Sequence, residues 1–234
     1  MFCLLVCGVI AFVLPARATT TPDSNAVRHA LETRYQQART LKAAFFERYS
    51  DGNGGEVAES GTVYFSRPGR MRWEYESPEQ KLFLVDGKNV WFYVPADHTA
   101  SHAKLKESSD WRTPIALLVG KADLSQLCRK IEIVDAPDPR TTDEEKPPSA
   151  GDTLLRCTPR GENVKTASKQ SIFLEVDPED YLVRVVIHEP GKVTTEFRFG
   201  NWEENIPLAE AKFHFEPPPG VSIVDEESLA GEMH

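Results

Sequence analysis

The residues that could carry out catalysis or bind a metal are few and poorly spaced. The sequence lacks the motifs G-x-S-x-G, H-E-x-x-H and C-x-x-C, and it has no glycine-rich phosphate loop. His98 and His102 are four residues apart, which pairs side chains on a helix, but their stretch is predicted to be turn and strand. We therefore predict no catalytic residue, no metal site and no cofactor.

The most unusual local sequence runs from Arg67 to Tyr75 and reads RPGRMRWEY. A turn with basic side chains leads into a strand in which large apolar residues alternate with charged ones. Such alternation is typical of a strand with one buried face, so Met71, Trp73 and Tyr75 could simply be core residues. From the residue types alone, an ordinary strand and a functional site both remain open.

Length and composition are those of ordinary globular proteins. The chain has 234 residues, enough for one large or two small domains, with 40% apolar and 27% charged residues. These values exclude a wholly disordered chain and a protein with several membrane spans. The 36 acidic residues outnumber the 27 basic ones, and the formal charge of −9 disfavours binding to nucleic acid or to anionic lipid surfaces.

The N-terminal apolar run from Phe2 to Leu14 predicts a signal peptide. Its roughly 13 residues are too few to span a bilayer, and the small residues Ala16 and Ala18 fit cleavage after Ala18. The usual basic residues before the run are missing, and a buried N-terminal helix is the alternative. We predict that residues 1–18 are removed and that residues 19–234 form a single, soluble, exported domain.

Cys128 and Cys157 remain after this cleavage. An even pair in an oxidising compartment predicts a disulfide, which would close a loop of about 30 residues and contribute about 3–4 kcal/mol in the chain-entropy model. Two separate buried thiols are the alternative. A zinc site is disfavoured because two cysteines without paired histidines offer too few ligands.

The apolar periodicity changes along the chain from helical to strand-like. One amphipathic helix of about 18 residues, capped by Asp23 or Ser24, is predicted from apolar residues three or four apart, namely Val27, Leu31, Tyr35, Ala38 and Leu41. From Ala43 onwards the period becomes two, and turn residues separate about ten short antiparallel strands in meander order. Two short helices interrupt them at 115–119 and 124–128, and residues 136–151 form an acidic, proline-rich mobile loop.

Several of the predicted strands are apolar on both faces, for example 82–85, 90–94 and 182–187. An antiparallel sheet with one wet face alternates cleanly between apolar and polar residues. These strands therefore need cover on both sides, or one of their faces lines a dry pocket. The fold class predicted is mainly β with a few helices.

Four segments in sequence order resemble the LolA family of periplasmic lipoprotein carriers. They are Gly61 to Tyr75 (GTVYFSRPGRMRWEY), Asp86 to Tyr93 (DGKNVWFY), Thr113 to Leu118 (TPIALL) and Phe213 to Val221 (FHFEPPPGV). Their order and spacing extend the similarity over residues 24–225. The resemblance implies a strongly curved, incompletely closed antiparallel β-barrel, with helices as plug and lid around an apolar cavity.

The resemblance also implies roles for individual residues. Arg67 matches the family arginine that precedes a proline and holds the lid shut by hydrogen bonds to backbone carbonyls, and here the lid would be 113–119. Met71 takes the place of an apolar residue near the mouth of the cavity that contacts partners. The cavity wall and lid are expected to include Trp73, Phe83, Trp91 and Leu117. Arg112 departs from the family, which commonly has asparagine at that position.

The function implied is that of a periplasmic chaperone without covalent chemistry. Its partners would be acylated lipoprotein cargo, an inner-membrane ABC transporter that releases lipoproteins, and an outer-membrane lipoprotein receptor. A monomer without nucleic acid is expected. The alternatives are an exported carrier of another apolar ligand on the same fold, such as a lipid or glycolipid, and an exported hydrolase, for which no nucleophile and base arrangement is found.

Overall fold

The chain forms one open sheet with a helix at its start. The computed structural model describes residues 23–105, 123–136, 147–160 and 170–225. In chain order the elements are α1 (Ser24–Gln37), β1 (Thr40–Ser50), β2 (Glu56–Ser66), β3 (Arg70–Ser77), β4 (Lys81–Val85), β5 (Asn89–Val94), β6 (Thr99–Lys104), α2 (Leu124–Leu127), β7 (Cys128–Ile133), β8 (Thr153–Pro159), β9 (Ser171–Val176), β10 (Leu182–His188), β11 (Thr194–Glu204), a 3-10 helix (Glu210–Phe213) and β12 (Ser222–Asp225).

The strands follow one another around the sheet almost in sequence order. The order is β12-β6-β5-β4-β3-β2-β1-β11-β10-β9-β8-β7, so the described strands end at β12 on one side and at β7 on the other. Neighbouring strands are antiparallel, except that β12 lies parallel to β6. The predicted meander and its open, incompletely closed form are confirmed.

Helix α1 begins as its sequence predicts but ends earlier. The Asp23 carboxylate caps it by accepting the backbone N–H of Asn25. The predicted helix included Leu41, but α1 stops at Gln37 and Leu41 lies in β1. An apolar residue at position 41 fits the buried face of either a helix or a strand. Leu41 lies in a strand because β1 forms long hydrogen-bonded ladders with β2 and β11.

Aspartates close two of the predicted hairpins. Between β1 and β2, the Asp51 carboxylate accepts the backbone N–H groups of Asn53 and Gly55. Between β4 and β5, Asp86 accepts those of Lys88 and Asn89 in the same way. These local bonds explain why the turns could be predicted from composition.

The sheet is strongly curved, as two aromatic side chains show. Strands β3 and β11 are three strand steps apart in the sheet, which would be about 14 Å in a flat sheet. Yet the ring centroids of Trp73 on β3 and Phe197 on β11 are 5.5 Å apart. The concave side, called the inner face below, therefore brings distant strands into one core.

The inner face and α1 share that core. Its buried members from the strands include Leu41, Phe45, Val63, Phe65, Met71, Trp73, Phe83, Val85, Leu155, Ile172, Leu174, Val185, Phe197 and Phe199, and α1 adds Leu31 and Tyr35. The convex side, or outer face, carries the residues between them. On β4 this alternation sends Phe83 to the inner face and Leu82 and Leu84 to the outer face.

Residues 206–225, called the C-terminal strap, cover the outer face of β3, β4 and β5. The Arg72 guanidinium donates to the carbonyl oxygen of Lys212 at 3.1 Å. The Phe215 ring packs against Trp91 and Tyr93, with centroids 5.5 and 5.2 Å away. Leu84, which lies between Arg72 and Trp91 in the ladder, is 0% exposed. The strap is thus the cover that the apolar outer residues require, and β12 at its end was not predicted.

A smaller cluster covers the other end of the outer face. Leu154, Phe173 and Val186 are buried there against Val134. The predicted signal peptide 1–18, the predicted helix 115–119 and residues 137–146 of the predicted loop lie outside the described residues.

Candidate functional site

The inner face is built around Trp73. Its ring lies 4.8 Å from that of Phe45, 5.5 Å from Phe197, 6.1 Å from Phe199 and 6.2 Å from Phe65, all in edge-on arrangements. These five residues are called the aromatic cluster. Edge-to-face contacts of this kind are favourable beyond the area that they bury, so the centre of the inner face is dry and apolar.

Helix α1 is fixed over one end of the aromatic cluster. The Trp202 ring contacts Phe199 at 5.5 Å and Tyr35 of α1 at 5.6 Å. The Leu182 N–H donates to the Tyr35 hydroxyl, and the Trp202 indole N–H donates to the Leu182 carbonyl, both at 3.0 Å. Burial raises the pKa of the Tyr35 hydroxyl, which stays neutral. The polar atoms of Tyr35, Leu182 and Trp202 named here are therefore paired with one another.

The opposite end of the inner face is polar. The Tyr75 hydroxyl donates to a Glu47 carboxylate oxygen at 2.9 Å, and both residues are buried. Glu59, which lies opposite Glu47 in the ladder, pairs with the Lys81 ammonium. Buried charges are retained in folded proteins when they are paired. The inner face thus runs from an apolar centre to a charged end.

Cys128 and Cys157 are joined by a disulfide at the edge of the same face. Their Cα atoms are 5.5 Å apart, and the two residues are 29 positions apart in sequence. Both side chains belong to the buried core. The bond ties β7 to β8 beside the inner face.

Arg67 lies directly after β2, next to this core. Its backbone N–H donates to the Arg39 carbonyl at 3.0 Å, and its side chain is half-buried. Burial lowers the pKa of the guanidinium from its ordinary value, and nearby Tyr35 opposes this shift. The predicted lid 113–119 and Leu117 lie outside the described residues, so the predicted latch stays a prediction.

The remaining predicted site residues fall on both faces. Trp73 and Phe83 lie on the inner face, directly opposite each other in the β3–β4 ladder. Trp91 pairs with Leu84 and packs against the tilted ring of His102, with centroids 4.3 Å apart. The prediction that Trp91 belongs to the cavity wall is therefore wrong, because alternation along β5 places it on the outer face.

Met71, for which a contact with partners is predicted, is buried in this structure. Its side chain is 0% exposed and lies opposite Phe65 and Val85 on the inner face. A residue in this environment presents no surface to a partner in this structure. The alternation with Arg70 and Arg72, which contact the C-terminal strap, sends Met71 inward.

Several residues of the inner face were missed by the sequence reasoning. Phe197 and Phe199 alternate on β11 and could have been found from that period of two, but they lie outside the four family-like motifs. Glu47 carried no signal, because a charged residue in an alternating strand is usually solvent-exposed. Its burial follows from the curvature of the sheet.

No three His, Cys, Asp or Glu side chains among the described residues are grouped as a metal site would require. No helix in the described ranges has the length and apolarity to cross a membrane.

Comparisons with known proteins agree on one family. The family model described as outer membrane lipoprotein carrier protein LolA matches residues 36–216. An outer-membrane lipoprotein carrier protein of Nitrosospira multiformis is 27% identical over 200 residues, which cover 84% of this chain and 87% of that protein. One from Azotobacter vinelandii is 28% identical over 228 residues, or 97% and 99% of the two chains.

A solved structure supports the fold. The crystal structure of an uncharacterized conserved protein from Thermus thermophilus superposes with a TM-score of 0.50 at 13% identity. The superposition covers 86% of this chain and 98% of that one. Similarity at this level concerns the fold alone.

Proposed function

Because the chain belongs to the LolA family of outer membrane lipoprotein carrier proteins, we propose that it is a periplasmic chaperone for lipoproteins. It binds the acyl chains of lipoproteins released from the inner membrane, shields them from water, and delivers the lipoproteins to the outer membrane. No covalent step is involved. The observation that carries this proposal is the aromatic, apolar inner face of a sheet that is open at both of its described edges.

The chemistry of the inner face suits hydrocarbon chains. Transfer of an acyl chain from water to an apolar environment contributes about 0.8 kcal/mol per CH₂, so the several chains of one lipoprotein together bind strongly. Release then depends on a receptor surface with higher affinity, or on changes in the carrier.

The proposed route requires two protein partners and an export step. Lipoproteins would be received from an inner-membrane ABC transporter and handed to an outer-membrane receptor, which fits the curated relatives, named as outer-membrane lipoprotein carriers. Export would follow from the N-terminal run, with cleavage after Ala18. The protein would then act as a soluble monomer in the periplasm.

We also propose Arg67 as a latch on the segment 113–119. A guanidinium has five donors and a charge that does not titrate, which suits it to bind several backbone carbonyls at once. The half-buried position of Arg67 after β2 supports a role in packing rather than in solvent. Such a latch would close the site in the free protein and help to expel cargo.

A transfer assay tests the function. The mature protein is incubated with inner-membrane vesicles that contain a lipoprotein and the releasing transporter, and the soluble fraction is analysed by mass spectrometry. A soluble complex of the protein with triacylated lipoprotein is expected. The same lipoprotein without acyl chains is the matched control and should not be bound.

Two results would contradict the proposal. Failure to solubilise any lipoprotein, with the fold shown to be intact by near-UV circular dichroism, would exclude the carrier role. Recovery of free lipid or glycolipid in place of lipoprotein would favour the alternative carrier on the same fold.

The latch is tested by measuring loading and delivery separately. Arg67→Leu should load lipoprotein normally but fail to pass it to the receptor, and Arg67→Lys should be intermediate, because an ammonium lacks the planar fork. Arg70→Leu is the control and should load and deliver lipoprotein normally, since Arg70 pairs with Glu210 of the C-terminal strap at 2.9 Å. Normal delivery by Arg67→Leu would remove the latch from the mechanism.

A further inference from the structure

We infer that the indole N–H of Trp73 donates a hydrogen bond to the carbonyl oxygen of a bound acyl group. The carrier would then be selective for acyl chains, which carry a carbonyl group at their head, over plain alkyl chains. This inference rests on the proposed function and identifies the chemical group that the inner face recognises.

The inference begins with an unsatisfied donor. Trp73 is 0% exposed, and its Nε1 atom forms no hydrogen bond with any residue in the described parts of the chain. A buried indole N–H normally finds an acceptor, because desolvation without a partner costs free energy. Since Trp73 is at the centre of the aromatic cluster, this donor is kept in the most apolar part of the inner face.

The surroundings offer only weak acceptors. The rings around Trp73 belong to four phenylalanines, which have no oxygen or nitrogen atom in their side chains. An N–H group can contact an aromatic face, but such contacts are weaker than a bond to a carbonyl. The donor is therefore best satisfied by an acceptor that arrives with a ligand.

Trp202 shows that this arrangement is particular to Trp73. Trp202 lies at the edge of the same core, and its indole N–H donates to the Leu182 carbonyl at 3.0 Å. Both residues therefore contribute a large aromatic surface, but of these two tryptophans only Trp73 has an N–H left for a ligand.

The polarity of the inner face fixes the direction of the ligand. Tyr75 is two residues beyond Trp73 on the same face of β3, and its hydroxyl marks the start of the charged end with Glu47. The Phe45 ring contacts both Trp73 and Tyr75, at 4.8 and 5.0 Å. When the carbonyl of a ligand binds Trp73, the polar head of the ligand would therefore point towards Tyr75, and its hydrocarbon chain would lie in the apolar part of the inner face.

The acceptor must be neutral and attached to a long apolar chain. A carboxylate at Trp73 would lose its hydration among four phenylalanine rings, which offer no compensating charge. Ester and amide carbonyls carry no charge and are the polar groups next to every acyl chain of a lipidated protein. An ether oxygen is a poorer acceptor, and an alkane has none.

The test compares two ligands that differ only in this carbonyl. The mature protein is titrated with a diacylglyceryl lipopeptide and with its dialkyl ether counterpart of equal chain length. The wild type should bind the ester about tenfold more tightly, the effect of one buried hydrogen bond. Trp73→Phe should lose this preference through weaker ester binding, with ether binding changed little.

Two further variants separate the hydrogen bond from packing. Benzothienylalanine introduced at position 73 keeps the size of the indole but has sulfur in place of the N–H, and it should lose the preference as Trp73→Phe does. Trp202→Phe is the matched control, which should lower thermal stability and keep the preference, because its N–H bonds the backbone.

The outcomes distinguish the inference from the proposed function. Equal binding of both ligands by the wild type, or an unchanged preference in both position-73 variants, would overturn the role of Trp73. Loss of the preference in Trp202→Phe would also overturn it, since general repacking would then be the cause. Binding of neither ligand by the wild type would overturn the proposed function and this inference with it.

Discussion

The inner and outer faces of the sheet are both extensively buried, but they are buried by different partners. The inner face folds onto itself and onto α1, and aromatic rings from strands far apart in the sheet meet there. The outer face is covered by the chain's own C-terminal strap at one end and by residues near Val134 at the other. Between these two covered ends, the outer face carries charged side chains.

The centre of the outer face is a network of ion pairs around Glu196. This carboxylate is 1% exposed and contacts Arg48 at 3.0 Å, Arg184 at 2.6 Å and Arg198 at 2.9 Å. Burial alone would raise the pKa of Glu196, but the guanidiniums of Arg184 and Arg198 lower it below its usual range. Every charge here has a partner with good geometry.

The residues of the two faces therefore have different roles in the protein. The buried charges at the centre of the outer face are paired within the chain, so these residues stabilise the fold. The inner face holds an indole donor without an acceptor among the described residues, beside an apolar surface. Residues of the inner face should affect ligand binding, and those of the outer face should affect stability alone.

Adjacent residues of β4 give the sharpest test of this difference. Phe83 and Leu84 are both at most 2% exposed but point to opposite faces. Phe83→Ala and Leu84→Ala should each lower the free energy of unfolding by about 3–5 kcal/mol. At a temperature where both variants are folded, only Phe83→Ala should weaken binding of an acylated ligand. Equal losses of affinity, measured by titration calorimetry, would remove the distinction between the faces.

Removal of the disulfide, which lies beside the inner face, should cause the next largest loss of stability. Replacement of both Cys128 and Cys157 by serine should lower the free energy of unfolding by about 3–4 kcal/mol, because the open chain regains the entropy of a long loop. Denaturation in urea with and without reductant measures this loss. Labelling of the mature, oxidised protein under denaturing conditions should find no reactive thiol, and two reactive thiols would contradict the bond.

Removal of Glu196 should destabilise the protein through the outer face alone. Glu196→Ala removes the 2.6 Å ion pair of the buried Arg184, keeps its longer pair with Glu175 at 3.6 Å, and should cost about 3 kcal/mol. Glu203→Ala is the control, since Glu203 pairs with Lys42 in solvent and should change stability by less than about 1 kcal/mol. Denaturation curves compare the two. Similar effects of both substitutions would mean that burial of the network contributes nothing.

The smallest predicted effect is a change of stability with pH, caused by Asp152 at the edge of the outer face. Burial and a hydrogen bond with Glu175 raise the pKa of Asp152 from 3.8 to about 6. Because the native state binds this proton more tightly, its stabilising contribution is complete below pH 3.8 and is lost as the pH rises through about 6.

The variant Asp152→Asn checks this sign. An asparagine donates to Glu175 at any pH, so the melting temperature of the variant should fall less than that of the wild type between about pH 5 and pH 7. Identical pH dependence in both proteins would show that the proton is not held at this pair. The buried network at Glu196 predicts no change over the same range, since its carboxylate stays ionised.

Much of the architecture could be predicted from the sequence, because local physics decides it. Asp23 caps a helix, Asp51 and Asp86 close hairpins with their own backbone neighbours, and the period of two outlines most strands. Such interactions join residues a few positions apart, so no knowledge of the fold is needed. The family-like motifs added the open, curved sheet and the importance of Trp73.

The choice of face needed the tertiary structure. In VWFYV of β5, every residue is apolar or aromatic, so alternation alone could not tell whether Trp91 or Phe92 faces inward. The C-terminal strap decided it by packing Phe215 on Trp91. For the same reason β12 was missed, since a short exposed strand forms only where β6 offers a free edge.

The functional chemistry divides in the same way. Residue types and their spacing are enough to predict an aromatic β-sheet without catalytic motifs. The burial of Glu47 and Met71, and the lack of an acceptor for the Trp73 donor in the described chain, follow from the folded arrangement of the strands. These properties depend on which distant strands meet when the sheet curls, and curvature is a sum of long-range contacts that no short segment contains.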